Sequence, residues 1–281
     1  MEKSYITFIF LIFFTVSYAQ TDTVTHYGWI PSGVTGLNIS QIAFSNWTQG
    51  GENSITWTIF GNFALKYILP SWVFTNELKL AYGRTKPGTE EFRTNDNELY
   101  LETVLSHSLG WAVDPYISNT LRTAVSDGFN YDSIPALQTS ALFDPAYITQ
   151  SIGFTYNKLE GFTTRLGLAF QETVTDKYRQ YSDDPETPDE IESFKFETGL
   201  ESVTSAEYTV AQNMLVSSKL RLFTRFEAMD VWDVRWDNTI TAKVNDYVNV
   251  NLNVLLVYEK SQSPKTQLKE ALQLGLTYNL F

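Results

Sequence analysis

Charged side chains stand at alternate positions along several segments of this chain. Lys219, Arg221 and Arg225 are an example, with Leu220 and Leu222 between them. Alternate residues of a β-strand point to the same face, so these charges would share one surface. Such a surface can set ion preference along a watery path. Alternatively, its charges can pair with one another where they are buried.

The same phase in other segments gives a larger set of charges that we expect to face the interior of the protein. Its members are Lys66, Lys79, Arg122, Arg165, Lys219, Arg221, Arg225, Arg235, Glu77, Glu102, Asp233 and Asp237. The group Lys219, Arg221 and Arg225 is the most one-sided. It could attract anionic solutes such as acidic sugars or fatty-acid head groups. The other interpretation is simple pairing with Asp233, Asp237 and Glu201.

An acidic segment at residues 182–192 is a second candidate for chemistry. It contains six carboxylates and no basic residue. Carboxylates are ligands of Ca²⁺ in proteins, so a calcium site is one hypothesis. The spacing does not fit an EF-hand loop, and two prolines favour an extended, solvated loop instead.

The elements that must position these residues alternate apolar and polar side chains. Ile55, Trp57 and Ile59, for example, alternate with Thr56 and Thr58. Twelve such segments are present, two of them (37–47 and 194–208) weaker than the rest. They are 37–47, 55–67, 78–82, 99–105, 117–125, 148–156, 162–170, 194–208, 220–226, 232–244, 248–258 and 272–280. The pattern predicts an all-β fold, a transmembrane antiparallel up-and-down β-barrel of about 12 strands.

The connections between the segments support the same fold. Four of the connections are tight turns: residues 69–71, 157–161, 211–213 and 245–246. A fifth, residues 109–114, is somewhat longer. The polar connections 48–53, 83–97, 127–146, 172–193, 228–231 and 259–269 fall between them. Short periplasmic turns alternating with longer outer loops, and two periplasmic termini, are typical of outer-membrane barrels. A soluble β-sandwich would not usually keep this order.

The first residues predict export. An apolar run from Ile6 to Val16 follows Lys3, and the small residues Ser17 and Ala19 fit a signal-peptidase site. We therefore expect a cleaved signal peptide at 1–19, a periplasmic tail at 20–34 and the barrel at 35–281. The chain has no cysteine, so it forms no disulfide. A net charge of −12 argues against nucleic acid, and 15% aromatic residues fit the girdles of a barrel.

Two resemblances narrow the family. Residues 272–280 followed by Phe281 look like the closing strand that barrel-assembly machinery reads in outer-membrane proteins, although Phe281 is out of phase with Tyr278. The segment Asn38–Gln41, then Phe44–Trp47 and Gly50–Ser54, resembles a family of uncharacterised outer-membrane barrels known as domain of unknown function 3078. Residues 143–147 and 153–156 resemble its mid-chain strand. The resemblance implies a barrel in the outer membrane and no known activity.

The first loop of that resemblance contains Asn46, Gly50, Gly51, Glu52 and Asn53. The two glycines tolerate positive φ, and the polar side chains can bond loop backbone. We interpret these residues as a structural loop clamp, with a binding site as the alternative.

Catalytic groups are scarce. The two histidines are His26, in the expected tail, and His107. Outer-membrane phospholipases place a serine two residues after a lipid-facing histidine, where this chain has Leu109; Ser108 is on the opposite face. The sequence therefore favours a protein that is not an enzyme, with acyl hydrolysis an unfavoured alternative, and it indicates no metal site and no cofactor.

The composition of the interior leads to two hypotheses. A narrow channel for small polar or anionic solutes would use the inward charges together with Asn249, Asn251 and Asn253. A closed structural or accessory barrel would use the charges to cross-link its interior, and would meet a protein partner of an envelope complex through its outer loops. We expect contact with outer-membrane lipid in both cases.

Overall fold

A computed structural model describes residues 27–46, 48, 51–184, 187, 190–260 and 265–281. Within these residues, twelve antiparallel strands form a closed barrel, which confirms the predicted fold. The barrel strands are β1 (Gly28–Ile42), β2 (Ser54–Ile68), β3 (Trp72–Pro87), β4 (Arg93–His107), β5 (Asp114–Thr123), β8 (Ala146–Leu159), β9 (Phe162–Val174), β10 (Phe194–Ala211), β11 (Met214–Arg225), β12 (Ala228–Lys243), β13 (Val248–Tyr258) and β14 (Gln267–Asn279). Two short strands, β6 (Gly128–Asn130) and β7 (Leu137–Ser140), form a separate hairpin.

Each barrel strand pairs with its neighbours in the chain, β5 pairs with β8 across the hairpin, and β1 closes the barrel against β14. The closing contact is short. It joins six residue pairs, from Val34 to Ile39 on β1, whereas β1 pairs with β2 along its whole length, from Gly28 to Ile42. The seam between β1 and β14 is therefore the least extensively paired junction in the described wall.

The connections divide the barrel into two ends. The turns β2–β3, β4–β5, β8–β9, β10–β11 and β12–β13 leave at one end, which we call the turn side; β1 begins and β14 ends there. The remaining connections leave at the loop side. The predicted alternation of short and long connections holds only in part, because the loop-side connection β11–β12 is residues 226–227 alone and the turn-side connection β4–β5, residues 108–113, is longer than the loop-side connection 88–92. Residues 1–26, with the expected signal peptide, His26 and part of the tail, lie outside the described residues, and β1 begins at Gly28, inside the segment 20–34 that we expected to be tail.

Three of the strands, β3, β4 and β12, extend into segments that the sequence pattern indicated as loops. Residues 83–97 were expected to form a loop, but β3 continues to Pro87 and β4 begins at Arg93. The expected loop 228–231 is likewise part of β12, which has an irregular register near Arg225. Residues 84–86 and 93–97 are polar at every position, so the periodicity of two is lost there although the backbone still pairs.

The outer face of the barrel is apolar along its middle. Ile152, Leu166 and Leu272, for example, are 53%, 61% and 64% exposed. Aromatic pairs flank this band at both ends: Trp29 lies 4.4 Å from Tyr67 towards the turn side, and Trp57 lies 5.9 Å from Tyr82 towards the loop side. Alternation thus places apolar side chains outside and polar ones inside. No helix in the described part of the chain is long and apolar enough to span a membrane.

The connection between β5 and β8 packs over the loop side. The carboxylate of Asp144 accepts backbone N–H groups of Asp176 and Lys177 at 3.1 and 2.7 Å, and the amide oxygen of Asn97 accepts those of Val125 and Ser126 at 2.9 and 2.8 Å. These bonds tie the connection to its neighbours on both sides, so residues around the hairpin form a partial cover.

Candidate functional site

The barrel interior contains two cavities at different heights. A cavity of about 1360 Å³, the turn-side chamber, is lined by residues such as Lys66, Asn213 and Asn249. A cavity of about 370 Å³, the loop-side vestibule, is lined by strand residues and by Ser140 and Tyr181 of the outer connections. Both cavities have charged and amide side chains together with apolar ones among their lining residues.

The two cavities meet at four residues that line both of them: Asp96, Glu98, Leu255 and Lys269. We call this place the neck. Lys269 forms an ion pair with Asp96 and donates a hydrogen bond to the Asn95 carbonyl at 2.9 Å. Arg235 donates to Glu98 at 2.9 Å. Because β4 and β12 lie six positions apart in a ring of twelve strands, this last bond crosses the full width of the barrel.

A dense set of ion pairs fills the interior beside the neck. Glu102 accepts hydrogen bonds from Arg165 at 2.5 Å and from Lys219 at 2.7 Å. Its side chain is 6% exposed, so these partners replace water around the carboxylate. Lys219 and Arg122 also lie over the ring of Tyr100, at 4.9 and 5.3 Å from its centroid, which adds cation–π attraction.

The run Lys219, Arg221 and Arg225 is balanced by acidic partners. Arg221 donates to Glu201 at 2.6 Å, and Arg225 pairs with Glu197 at 2.5 Å and with Asp233 at 2.8 Å. Each of the three cations therefore has a carboxylate partner, and the local excess of positive charge that the sequence suggested is neutralised. Of the alternatives left open by the sequence, the geometry agrees with pairing. We refer to Glu102, Arg165, Glu201, Arg221 and Lys219 as the ion-paired wall.

The facing part of the interior is built from carboxamides. Asn38 on β1, Asn249, Asn251 and Asn253 on β13, and Gln273 on β14 line the turn-side chamber, and we call these five residues the amide wall. Asn251 donates to the side-chain oxygens of Asn249 at 2.8 Å and of Asn38 at 3.1 Å. Hydroxyl groups continue the network, since Thr241 donates to Asn251 at 2.9 Å.

The other predicted interior charges are distributed around these features. Lys66 and Lys79 line the turn-side chamber, and Glu77 lies 3.6 Å from Lys219. Asp237 accepts a hydrogen bond from Arg235 at 3.1 Å, and Arg122 lies 3.2 Å from Glu98. Sequence reasoning left out Asp96, Glu98 and Lys269. Asp96 and Lys269 are in segments that were predicted to be loops. Glu98 is in the same phase of its strand as Glu102, and this pattern could have identified it as an interior residue.

The first outer loop has contacts of the kind expected for a structural clamp. The side chain of Asn53 accepts the N–H of Phe44 at 2.6 Å, and its carbonyl accepts the N–H of Gly88 at 2.6 Å. Asn46 and Gly51 have positive φ. The side chain of Glu52 packs against Gly88 in the next outer loop, so closely that a Cβ at Gly88 would clash with it. Gly50 lies outside the described residues.

Described residues of the acidic segment form hydrogen bonds with one another. Glu192 accepts a hydrogen bond from Thr187 and one from the backbone of Asp184; these bonds lower the pKa of its carboxyl to about 2. Within the described residues, no cluster of three or more acidic or histidine side chains is placed to hold a metal ion. Part of the segment lies outside those residues, so both the favoured interpretation, a solvated loop, and the calcium hypothesis stay untested. His107 stacks on Trp72 at 4.2 Å, and its Nδ1 lies 2.9 Å from the Ser71 carbonyl oxygen.

A comparison with protein families finds a match for one part of the barrel. Residues 39–129 match the model of a family described as "Protein of unknown function (DUF3078)", which confirms the resemblance first suggested by residues 38–54. The match covers less than half of the chain and does not extend to residues 143–156. No curated protein matches the chain.

Several solved structures are similar to this chain over most of its length. The translocator domain of the autotransporter NalP from Neisseria meningitidis is 8% identical, with a TM-score of 0.38, over 92% of this chain and 90% of that one. An outer membrane channel from Pseudomonas putida F1 is 11% identical, with a TM-score of 0.41, over 91% and 96%. The KdgM porin is 10% identical, with a TM-score of 0.32, over 89% and 99%. None of these distant likenesses identifies a solute for this chain.

Proposed function

We propose that this protein is an integral outer-membrane barrel whose interior is a narrow channel for small polar solutes. The apolar outer band with aromatic residues at both ends supports the membrane location, because such a surface needs lipid rather than water around it. The polar interior supports a watery path.

One observation carries the channel proposal: the turn-side chamber and the loop-side vestibule share the neck residues Asp96, Glu98, Leu255 and Lys269. Because the two cavities share these residues, they are adjacent, and we infer that they join through the neck into one path along the barrel. Charged side chains at such a place decide how readily solutes pass.

A second candidate function, a closed structural or accessory barrel, is favoured by the bond between Glu98 and Arg235. It joins opposite strands and would stiffen the interior as a cross-link does. If the ion pairs at the neck never part, solutes cannot pass, and the protein would act through its outer loops on a partner.

Single-channel conductance of the refolded barrel in a planar bilayer distinguishes the two functions. The channel proposal expects discrete current steps from the wild type. It also expects larger steps from the double variant Asp96→Ala/Lys269→Ala, which removes one of the ion pairs at the neck together with both of its charges. The matched control is Glu90→Gln/Arg93→Gln, which removes an ion pair between the β3–β4 loop and the first residue of β4 and should leave the steps unchanged. A folded, inserted barrel that carries no current in either form would contradict the channel.

A further inference from the structure

The amide wall is distinguished by the absence of charge along its central strand. The inward residues of β13 are Asn249, Asn251, Asn253, Leu255 and Val257; none of them is ionisable. Lys243 on β12 lies opposite Asn249, and Asp237 on β12 and Lys269 on β14 lie opposite Leu255. Asn251 and Asn253 between them have only uncharged residues opposite on both flanking strands, so a solute that carries a formal charge would find no partner beside these two amides.

The wall also holds its carboxamides in a defined arrangement. A Cβ at Gly275 would lie 2.1 Å from Oδ1 of Asn249, 2.8 Å from Nδ2 of Asn251 and 2.9 Å from Oδ1 of Asn38. Amides from β1 and β13 therefore converge over a position on β14 that only glycine leaves open. Their mutual hydrogen bonds fix the side chains, so the surface is organised before a solute arrives.

The chemistry of the wall matches hydroxyl groups. A carboxamide has two N–H donors and an oxygen that can accept two hydrogen bonds, and a hydroxyl group both donates and accepts. The bonds within the wall use only part of this capacity: Oδ1 of Asn253 accepts from Thr239 at 3.0 Å. Thr241 and Thr277 add hydroxyls of their own beside Asn251 and Asn249. Neighbouring inward residues on one strand lie about 7 Å apart, so a solute with many hydroxyls could bond several of them at once.

The dimensions of the chamber suit a solute larger than one ring. Its volume of about 1360 Å³ exceeds the range of about 300–1,000 Å³ common for small-molecule pockets. The ring of Phe60 also lines the chamber and offers an apolar face against which a sugar ring can pack. Short peptides carry charged termini at neutral pH, which the wall does not match.

We propose that the amide wall binds neutral oligosaccharides and that these are the solutes that the turn-side chamber admits. The inference names a solute class for the channel and rests on the proposed function for transport, although the binding itself does not require an open path. It differs from the expectation of anionic solutes, because the cations that motivated that expectation are held by Glu102, Glu201 and Glu197.

The test uses the full barrel in a planar bilayer with a panel of neutral tetrasaccharides: α-1,4- and β-1,4-linked glucose, β-1,3-linked glucose and β-1,4-linked mannose. We expect at least one to interrupt the current in a concentration-dependent manner, while polyethylene glycol of similar size does not. The triple variant Asn249→Ala/Asn251→Ala/Asn253→Ala should weaken this block about tenfold or more, since each lost hydrogen bond contributes to affinity. The control Thr163→Ala/Ser205→Ala removes hydroxyls from the opposite side of the same chamber and should leave the block within about twofold of the wild type.

The outcomes separate this inference from the proposed function. A barrel that conducts, but whose current no tetrasaccharide blocks more than polyethylene glycol does, would overturn the oligosaccharide site and leave the channel standing. Equal loss of block in the triple variant and the control would also overturn it. If the barrel does not conduct, calorimetric titration of the micelle-refolded protein with the same panel decides: binding that the triple variant loses supports the site, and no binding overturns it.

Discussion

The ion-paired wall and the amide wall face each other across the same barrel, but they satisfy their polar groups in different ways. Around Glu102, two cations on different strands replace water. Around Asn251, neutral amides and a threonine share single hydrogen bonds. Buried charges need their partners continuously, because an unpaired one is expensive, whereas amides can exchange one neutral partner for another. The ion-paired wall therefore depends on fixed partners, whereas the amide wall could exchange its hydrogen bonds for those of a solute, as proposed above.

The largest effect should follow from removing a carboxylate of the ion-paired wall. In Glu102→Gln, Arg165 and Lys219 lose a shared, 6% exposed partner. We expect the free energy of unfolding to fall by about 4 kcal/mol. Urea unfolding of the micelle-refolded barrel measures the loss. Glu77→Gln is the control: its side chain is 36% exposed and lies 3.6 Å from Lys219, so the change should stay within about 1 kcal/mol. Equal decreases in the free energy of unfolding for the two variants would show that the buried ion pairs stabilise the barrel no more than the exposed one does.

A pair of glycines tests the rigidity of the two walls. A Cβ at Gly199 would lie 1.9 Å from the backbone oxygen of Thr224, whereas at Gly275 the first obstacle is a side-chain oxygen of Asn249. Because backbone in a sheet yields less than a side chain, Gly199→Ala should destabilise by about 3 kcal/mol and Gly275→Ala by about 1 kcal/mol. The same urea titration compares them. A larger decrease in the free energy of unfolding for Gly275→Ala would show that the amide wall is the more rigid of the two.

Removing an amide should cost less than removing a buried carboxylate. Asn251→Ala deletes the hydrogen bonds to Asn38, Asn249 and Thr241, but these groups keep other partners or water. We therefore expect a loss of about 1 kcal/mol in the free energy of unfolding, measured beside Glu102→Gln. If both variants lost the same amount, the amide wall would be as essential to folding as the ion pairs.

The smallest effect concerns ion selectivity. Arg221→Gln/Glu201→Gln removes a matched pair from the ion-paired wall, so the reversal potential in a salt gradient should not move. Asn251→Asp places a charge in the uncharged wall, and the reversal potential should shift towards cation preference. A shift in the first variant and none in the second would place the ion path along the ion-paired wall instead.

The strands and their inner faces could be predicted because a periodicity of two survives wherever one face meets an apolar environment. The phase of Asn249, Asn251 and Asn253 followed directly from the valines and leucines between them. Where both faces meet water, the signal disappears. Residues 83–97 and 259–269 were therefore expected to be loops, and two neck residues, Asp96 and Lys269, were missed with them.

The partners of the interior charges could not be predicted from the sequence. Glu102 and Lys219 are 117 residues apart, and their contact depends on the closure and tilt of the whole barrel. Lys219 has Asp237 directly opposite on the neighbouring strand, yet its ion pairs are with Glu102 and Glu77. Local pairing rules do not settle which acid a long, flexible side chain reaches.

The short seam between β1 and β14 has a consequence for the order of events during folding. Its six residue pairs join the two ends of the chain, so closing them carries the largest loop-closure entropy and the least hydrogen bonding to offset it. We expect the seam to form last. In native-state hydrogen exchange, the amide protons of Val34–Ile39 that face β14 should then be the first of the wall to exchange, before those between β1 and β2.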